Sequence, residues 1–292
     1  MAKIKIRDYA CFRGLETTIT PEVKEALDLT FPDAYKHADT MARISKFIKE
    51  NNGSPYCTLP FCHTVEGEAL GGRVNYGDEH IGPRAGDPIV DSLDAVLDLP
   101  DFDFTTGRIK EVLDAIEILK DEGELVTLEV SGPISALNNV VDPKHIFIAM
   151  RKDKETLIKV YEKMKKNLLA YIKEAVDRGV DLISYADSAG AVNILGDKML
   201  AAHVEDFLLD FLEEVKPILD GKALIHLCPK SAYAIVDSGH GDFVEVEVDS
   251  SLTYGEALGT AMGKEIILGD RCINNINSHM KQGVLRAIHL KD

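Results

Sequence analysis

The tripeptide His226-Leu227-Cys228 ends the apolar run Ala223–Leu227 and is followed at once by Pro229. If that run is a strand, alternation turns His226 and Cys228 to the same side of the sheet. Imidazole and thiolate are both good zinc donors, so the two heads could meet on one ion. A third donor is available in Cys272, which follows Glu265–Leu268 after Gly269-Asp270-Arg271. The plainer reading is that a cysteine at a strand end is a small buried residue. Strong zinc signals are paired CxxC-type clusters, and a lone His-x-Cys leaves both readings open.

Carboxylates stand beside the same kind of segment. Asp187 follows Val180–Tyr185, Glu247 and Asp249 close Phe243–Val248, and Glu66 and Glu68 follow Pro55–Cys62. Each is equally a helix cap or a turn residue, because short acidic side chains satisfy free backbone N–H groups. Ser238, His240 and Asp242 imitate a hydrolase triad, but no G-x-S-x-G turn carries the serine. Cys57 and Cys62 are five residues apart around Pro60, a poor ligand pair. They and Cys11 read as packing or pocket wall.

The elements that would position these groups alternate along the chain. Ile109–Lys120, Lys154–Arg178, Val204–Leu219 and Thr253–Met262 carry apolar residues at helical spacing. Between them lie Pro55–Cys62, Glu124–Val130, Val180–Tyr185, Ala223–Leu227, Phe243–Val248 and Glu265–Leu268, read as strands, with Lys3–Ile6 and Val284–Leu290 as extra candidates. Alternation with short Gly, Pro and Asp links predicts parallel βαβ units. The strand count favours an α/β fold of the (β/α)8 TIM-barrel type, reduced at its N- and C-terminal ends, over an open sheet. In such a barrel the chemistry gathers at the C-terminal ends of the strands. The expected organisation is a single domain over 1–292, with an irregular excursion at about 70–103.

Composition narrows the partners. With 33 Lys+Arg against 49 Asp+Glu, the net charge is −16. Nucleic acids and anionic membrane surfaces both require a basic face, so neither is expected as a partner. No apolar run approaches the ~18 residues of a membrane span, and none follows the charged N-terminus as a secretory signal would require. A cytoplasmic chain is expected to keep its five cysteines reduced.

Four stretches carry a resemblance: LPFCHTVEGEALGGRVNYG (59–77), VSGPISAL (130–137), RGVDLISYADSAGAVNILGDK (178–198) and IHLCPKS (225–231). Together and in this order they resemble the uroporphyrinogen decarboxylase superfamily, and within it the zinc-dependent corrinoid methyltransferases. The resemblance implies zinc on His226, Cys228 and Cys272, with Glu247 as a fourth ligand that substrate displaces. It implies that Asp187 or Asp249 orients substrate or moves a proton. It further implies a thiol that attacks the methyl group of a corrinoid presented by a separate protein. The same architecture suits the opposite half-reaction, in which a methyl ether or methylamine donor methylates the corrinoid. A metal-free decarboxylase-like lyase relying on Asp187 and Asp249, and a non-catalytic barrel that docks a corrinoid protein, are the other classes weighed. Self-association into a homo-oligomer stays open.

Overall fold

A computed structural model describes residues 19, 21–264 and 266–291. Nine strands are found among them: β1 (Tyr56–Leu59), β2 (Val74–Asn75), β3 (Arg84–Ala85), β4 (Leu125–Ser131), β5 (Leu182–Ala186), β6 (Leu224–Leu227), β7 (Gly241–Glu247), β8 (Ile267–Leu268) and β9 (Val284–Leu290). Seven form one sheet in the order β1-β4-β5-β6-β8-β9-β7. The first five run parallel. The candidate strand Lys3–Ile6 lies outside the described residues.

The parallel strands are buried on both faces, as βαβ crossovers require. β6 is buried at all four positions, and β5 at four of its five. The outward residues Val126, Leu128, Ile183, Tyr185, Ile225 and Leu227 join the helices in the main core. The largest of those helices, Lys154–Asp177, starts where the Asp153 side chain accepts a hydrogen bond from Thr156 N at 3.2 Å, and gives way to Gly179 at φ +89°. Inward residues Tyr56, Leu182, Leu224 and Leu268 make a second core with Tyr254 and Leu285. This is an α/β barrel of the TIM type.

The Phe243–Val248 strand does not join the parallel series. It is found as β7, antiparallel to β9 from Gly241↔Leu290 to Glu247↔Val284, and β9 is antiparallel to β8. The physical reason is in its composition. Glu245 and Glu247 alternate with Val244 and Val246, unlike the continuous apolar run of a strand buried on both faces, and β7 carries exposed residues along its length. Residues 70–103 carry the β2–β3 ribbon, a 3-10 turn at Asp94–Asp98 and a parallel bridge from Val90 to Val141.

Gly269 fixes how β8 meets β6. Its φ is +144°, and a Cβ there would lie 2.3 Å from the Leu227 carbonyl oxygen. Gly269→Ala therefore forces backbone apart at the strand ends that carry Cys228 and Cys272. The expected cost is about 2 kcal/mol or more by denaturant titration.

Candidate active site at the strand ends

His226 is fully buried on the inner face of β6. Its Nδ1 is 3.2 Å from the Ser184 hydroxyl of the neighbouring strand, and its Nε2 is 3.0 Å from the Arg271 carbonyl oxygen. The Tyr254 ring meets the imidazole edge-on at 5.9 Å. Facing a carbonyl, Nε2 carries the proton and Nδ1 accepts from Ser184. Burial pushes the imidazole pKa down to about 4, against the smaller opposing pull of the Arg271 carbonyl.

Cys228 and Cys272 occupy matching places on adjacent strands. Each follows its strand end and precedes a helical turn, Pro229–Asp237 and Ile273–Asn275 respectively. The register His226↔Leu268 and the Arg271 contact bring the two strand ends side by side. Among the described residues no three His, Cys, Asp or Glu side chains converge as a metal cluster. The donor set still fits zinc in kind, with one imidazole and two sulfurs on neighbouring strand ends. A serine on Nδ1 is the type of support a ligating histidine uses. For Nε2 to ligate a metal, it must give up the Arg271 carbonyl.

The expected acidic residues are placed otherwise. Asp187 is buried, and its Oδ2 accepts from Ile134 N at 3.0 Å. Its Oδ1 accepts from Ser135 N at 2.9 Å and from the Ser135 hydroxyl at 2.7 Å. Gly132 admits this approach, since a Cβ there would lie 2.4 Å from Asp187 Cβ. Behind it stands buried His203, 3.7 Å from Asp187 Oδ2 and 2.9 Å from the Tyr161 hydroxyl. Burial lowers the His203 pKa more than Asp187 and Asp206 raise it. Asp187 thus secures the Pro133–Leu137 turn to the end of β5.

Glu247 and Asp249 are exposed at the antiparallel margin, where β9 and β8 separate β7 from β6. Asp249 accepts from Ser251 N and the Ser251 hydroxyl, both at 2.8 Å. The structure does not bring either residue to His226. Ser238, His240 and Asp242 form no triad: they bond Ile235 O, Glu205 and Lys291 respectively. Cys57 is buried, Cys62 lines a pocket, and Cys11 lies outside the described residues.

Other groups stand out that the motif reading passes over. Glu129 on β4 pairs in register with Ser184, which pairs with His226, so the three form one inward layer. Glu129 and His63 line a cavity of about 180 Å³, together with Cys62, Tyr56, Thr58 and Asn274. Glu66 is buried behind it, with Oε1 accepting from Ser131 N at 2.7 Å and Oε2 left without a hydrogen-bond partner. Burial raises the pKa of both carboxyls; His63 opposes this in each, and Glu66 adds to it at Glu129. Nearby, buried Arg108 donates to Glu68 at 2.6 Å, Thr64 at 2.6 Å and Cys62 Sγ at 3.0 Å. The signal for Glu129 and Ser184 is a polar residue at an inward position of an otherwise apolar strand.

The sequence and the fold have counterparts among known proteins. A family model described as uroporphyrinogen decarboxylase (URO-D) matches residues 9–270, and Cys272 falls just past that span. The chain is 24% identical over 263 residues to the methylcobamide:CoM methyltransferase MtaA of Methanosarcina barkeri (strain Fusaro), spanning 88% of this chain and 74% of that one. It is 22% identical over 256 residues to MtbA of Methanosarcina mazei, spanning 87% and 75%. A solved methyltransferase from Methanosarcina mazei shares the fold at a TM-score of 0.63 and 21% identity, over 81% of this chain and 68% of that one. With the family model spanning nearly its whole length, the chain belongs to the uroporphyrinogen decarboxylase (URO-D) family.

Proposed function

We propose that this chain is a methyltransferase that moves a methyl group between a protein-bound corrinoid and a small thiol, with zinc held by His226, Cys228 and Cys272. The observation that carries the reading is the pairing of the His226-x-Cys228 strand end with the Cys272 strand end, in a chain similar to methylcobamide:CoM methyltransferases. Bound zinc would stabilise the thiolate form of a thiol at the open position that three protein ligands leave. The protein's own part is to orient and to exclude water. Ser184 holds the imidazole in one ring orientation, while Tyr254 and the inner core keep it dry. That thiolate would attack the methyl carbon of the partner's corrinoid, the S–C bond forming as the Co–C bond breaks and its electron pair stays on cobalt. Run backwards, the same step methylates the corrinoid.

The acidic chain suits a corrinoid protein with a basic docking face. No helix among the described residues is long and apolar enough to cross a membrane. A cytoplasmic setting, which keeps the ligand thiols reduced, belongs to this reading. The metal-free lyase reading loses support, because Asp187 is consumed as a cap and Asp249 in a turn.

Metal analysis of the purified chain should find about one zinc per chain, as a three-ligand site requires. Cys228→Ala should lose it, and chelation should abolish transfer from methylcobalamin to a small thiol. A zinc-free protein whose Cys228→Ala variant retains full transfer would contradict the reading. Asp187→Asn keeps an acceptor for Ser135 but faces Ile134 N with a donor. It should cost about 1–3 kcal/mol in denaturant titrations and leave the shape of the pH–rate profile unchanged.

A further inference from the structure

The reaction needs somewhere to put the thiol proton, and the two residues expected to move it are spent elsewhere. Asp187 accepts three hydrogen bonds, and Asp249 sits in an exposed turn. Glu68 is held by Arg108 and Tyr76, and Asp270 lies near Arg271 and Arg286. Glu66 uses one oxygen on Ser131 N and is sealed from solvent.

Glu129 is different. It lies on the cavity wall, and no hydrogen bond to its carboxylate is found among the described residues. It occupies the same inward layer as Ser184 and His226, two strands from the imidazole. At ~4.8 Å per strand, the Glu129 and His226 backbones are about 10 Å apart. The cavity that Glu129 lines is also lined by Asn274, two residues past Cys272, so the carboxyl opens toward the segment that carries that sulfur.

We propose that Glu129 is a catalytic residue, the proton acceptor that takes the thiol proton from the side of the barrel facing His226. The inference rests on the thiol methyltransferase reading. The S–H bond breaks, its electron pair stays on sulfur, and the proton passes to a Glu129 oxygen, giving the carboxylic acid. Later the proton leaves through the cavity to water. His63 and Glu66 act on this carboxyl; Lys49 from the Ala38–Asn52 helix, Tyr56 from β1 and Cys62 share its cavity, and Ser184 and His226 share its layer. Burial and Glu66 favour the proton on Glu129, and His63 opposes them, which keeps the carboxyl a stronger base than an exposed one.

The test uses zinc-loaded full-length protein, wild type and Glu129→Gln, with methylcobalamin as donor. For an ordinary alkanethiol such as 2-mercaptoethanol, Glu129→Gln should lower kcat by about 10²- to 10⁴-fold and abolish the acid limb of the pH profile. Trifluoroethanethiol, whose electron-withdrawing CF3 group makes it a far stronger acid than an alkanethiol, should recover most of that loss. Glu129→Asp, which keeps a carboxyl, should fall between. A second reading needs no turnover: in weakly buffered indicator solution, thiol binding should release more protons to bulk from Glu129→Gln than from wild type. Equal losses for all thiols, or an unchanged acid limb with equal proton release, would overturn the proposal. If wild type methylates no thiol, the methyltransferase reading fails and the catalytic role of Glu129 fails with it; if wild type is active and Glu129→Gln matches it in rate, acid limb and proton release, only the role of Glu129 fails.

Discussion

The arrangement depends on one buried imidazole whose two nitrogens must both be satisfied. His226 is sealed inside the barrel, where an unmet polar atom would cost about 1–3 kcal/mol. Its partners come from two other parts of the chain: the Ser184 hydroxyl on one side and the Arg271 carbonyl on the other. Meeting both demands ties β5, β6 and the segment after β8 into one register. That same register brings the Cys228 and Cys272 strand ends side by side. The strand pairing that packs the barrel is thus also what the proposed zinc centre relies on, while the Arg271 contact is the one that metal binding would replace.

The inner face of the barrel is divided along the strands. Toward their N-terminal ends, Tyr56, Leu182 and Leu224 form a dry core. One layer further, Glu129, Ser184 and His226 replace it with groups that can exchange protons. The dry layer below keeps the polar one in low dielectric, which strengthens each charge interaction, and burial shifts the Glu129 carboxyl toward its neutral form. Around the mouth, Asp187 and Arg108 serve order instead. Each is buried and saturated by neighbours, one pinning the Pro133–Leu137 turn and the other the loop that carries Cys62.

Much of this was legible in the residues. Parallel strands buried on both faces read as continuous apolar runs, so β4, β5 and β6 stood out, and helical spacing marked Lys154–Asp177. The same rule separates β7, whose alternating Glu and Val residues describe a strand with a wet face. The pairing of β7 with β9 was not legible, because antiparallel partners are chosen by long-range register and no turn motif joins them. At the site, strand alternation was enough to place His226 with Cys228. Telling a cap from a base was beyond sequence, since Asp187 becomes a cap only where the fold presents Ile134 N and Ser135 N to it. Glu129 was hidden for the converse reason: one acid in LVTLEVS looks like a surface residue until the register turns it inward.

The central claim is that the ends of β6 and β8 form a zinc centre that takes up a thiol. X-ray absorption at the zinc edge, on metal-loaded protein with and without thiol, tests it most directly. A zinc centre of this kind should show a first shell with one imidazole nitrogen and two sulfurs, from His226, Cys228 and Cys272, and one more sulfur when thiol is added. A shell of only nitrogen and oxygen, or one that thiol leaves unchanged, would contradict it.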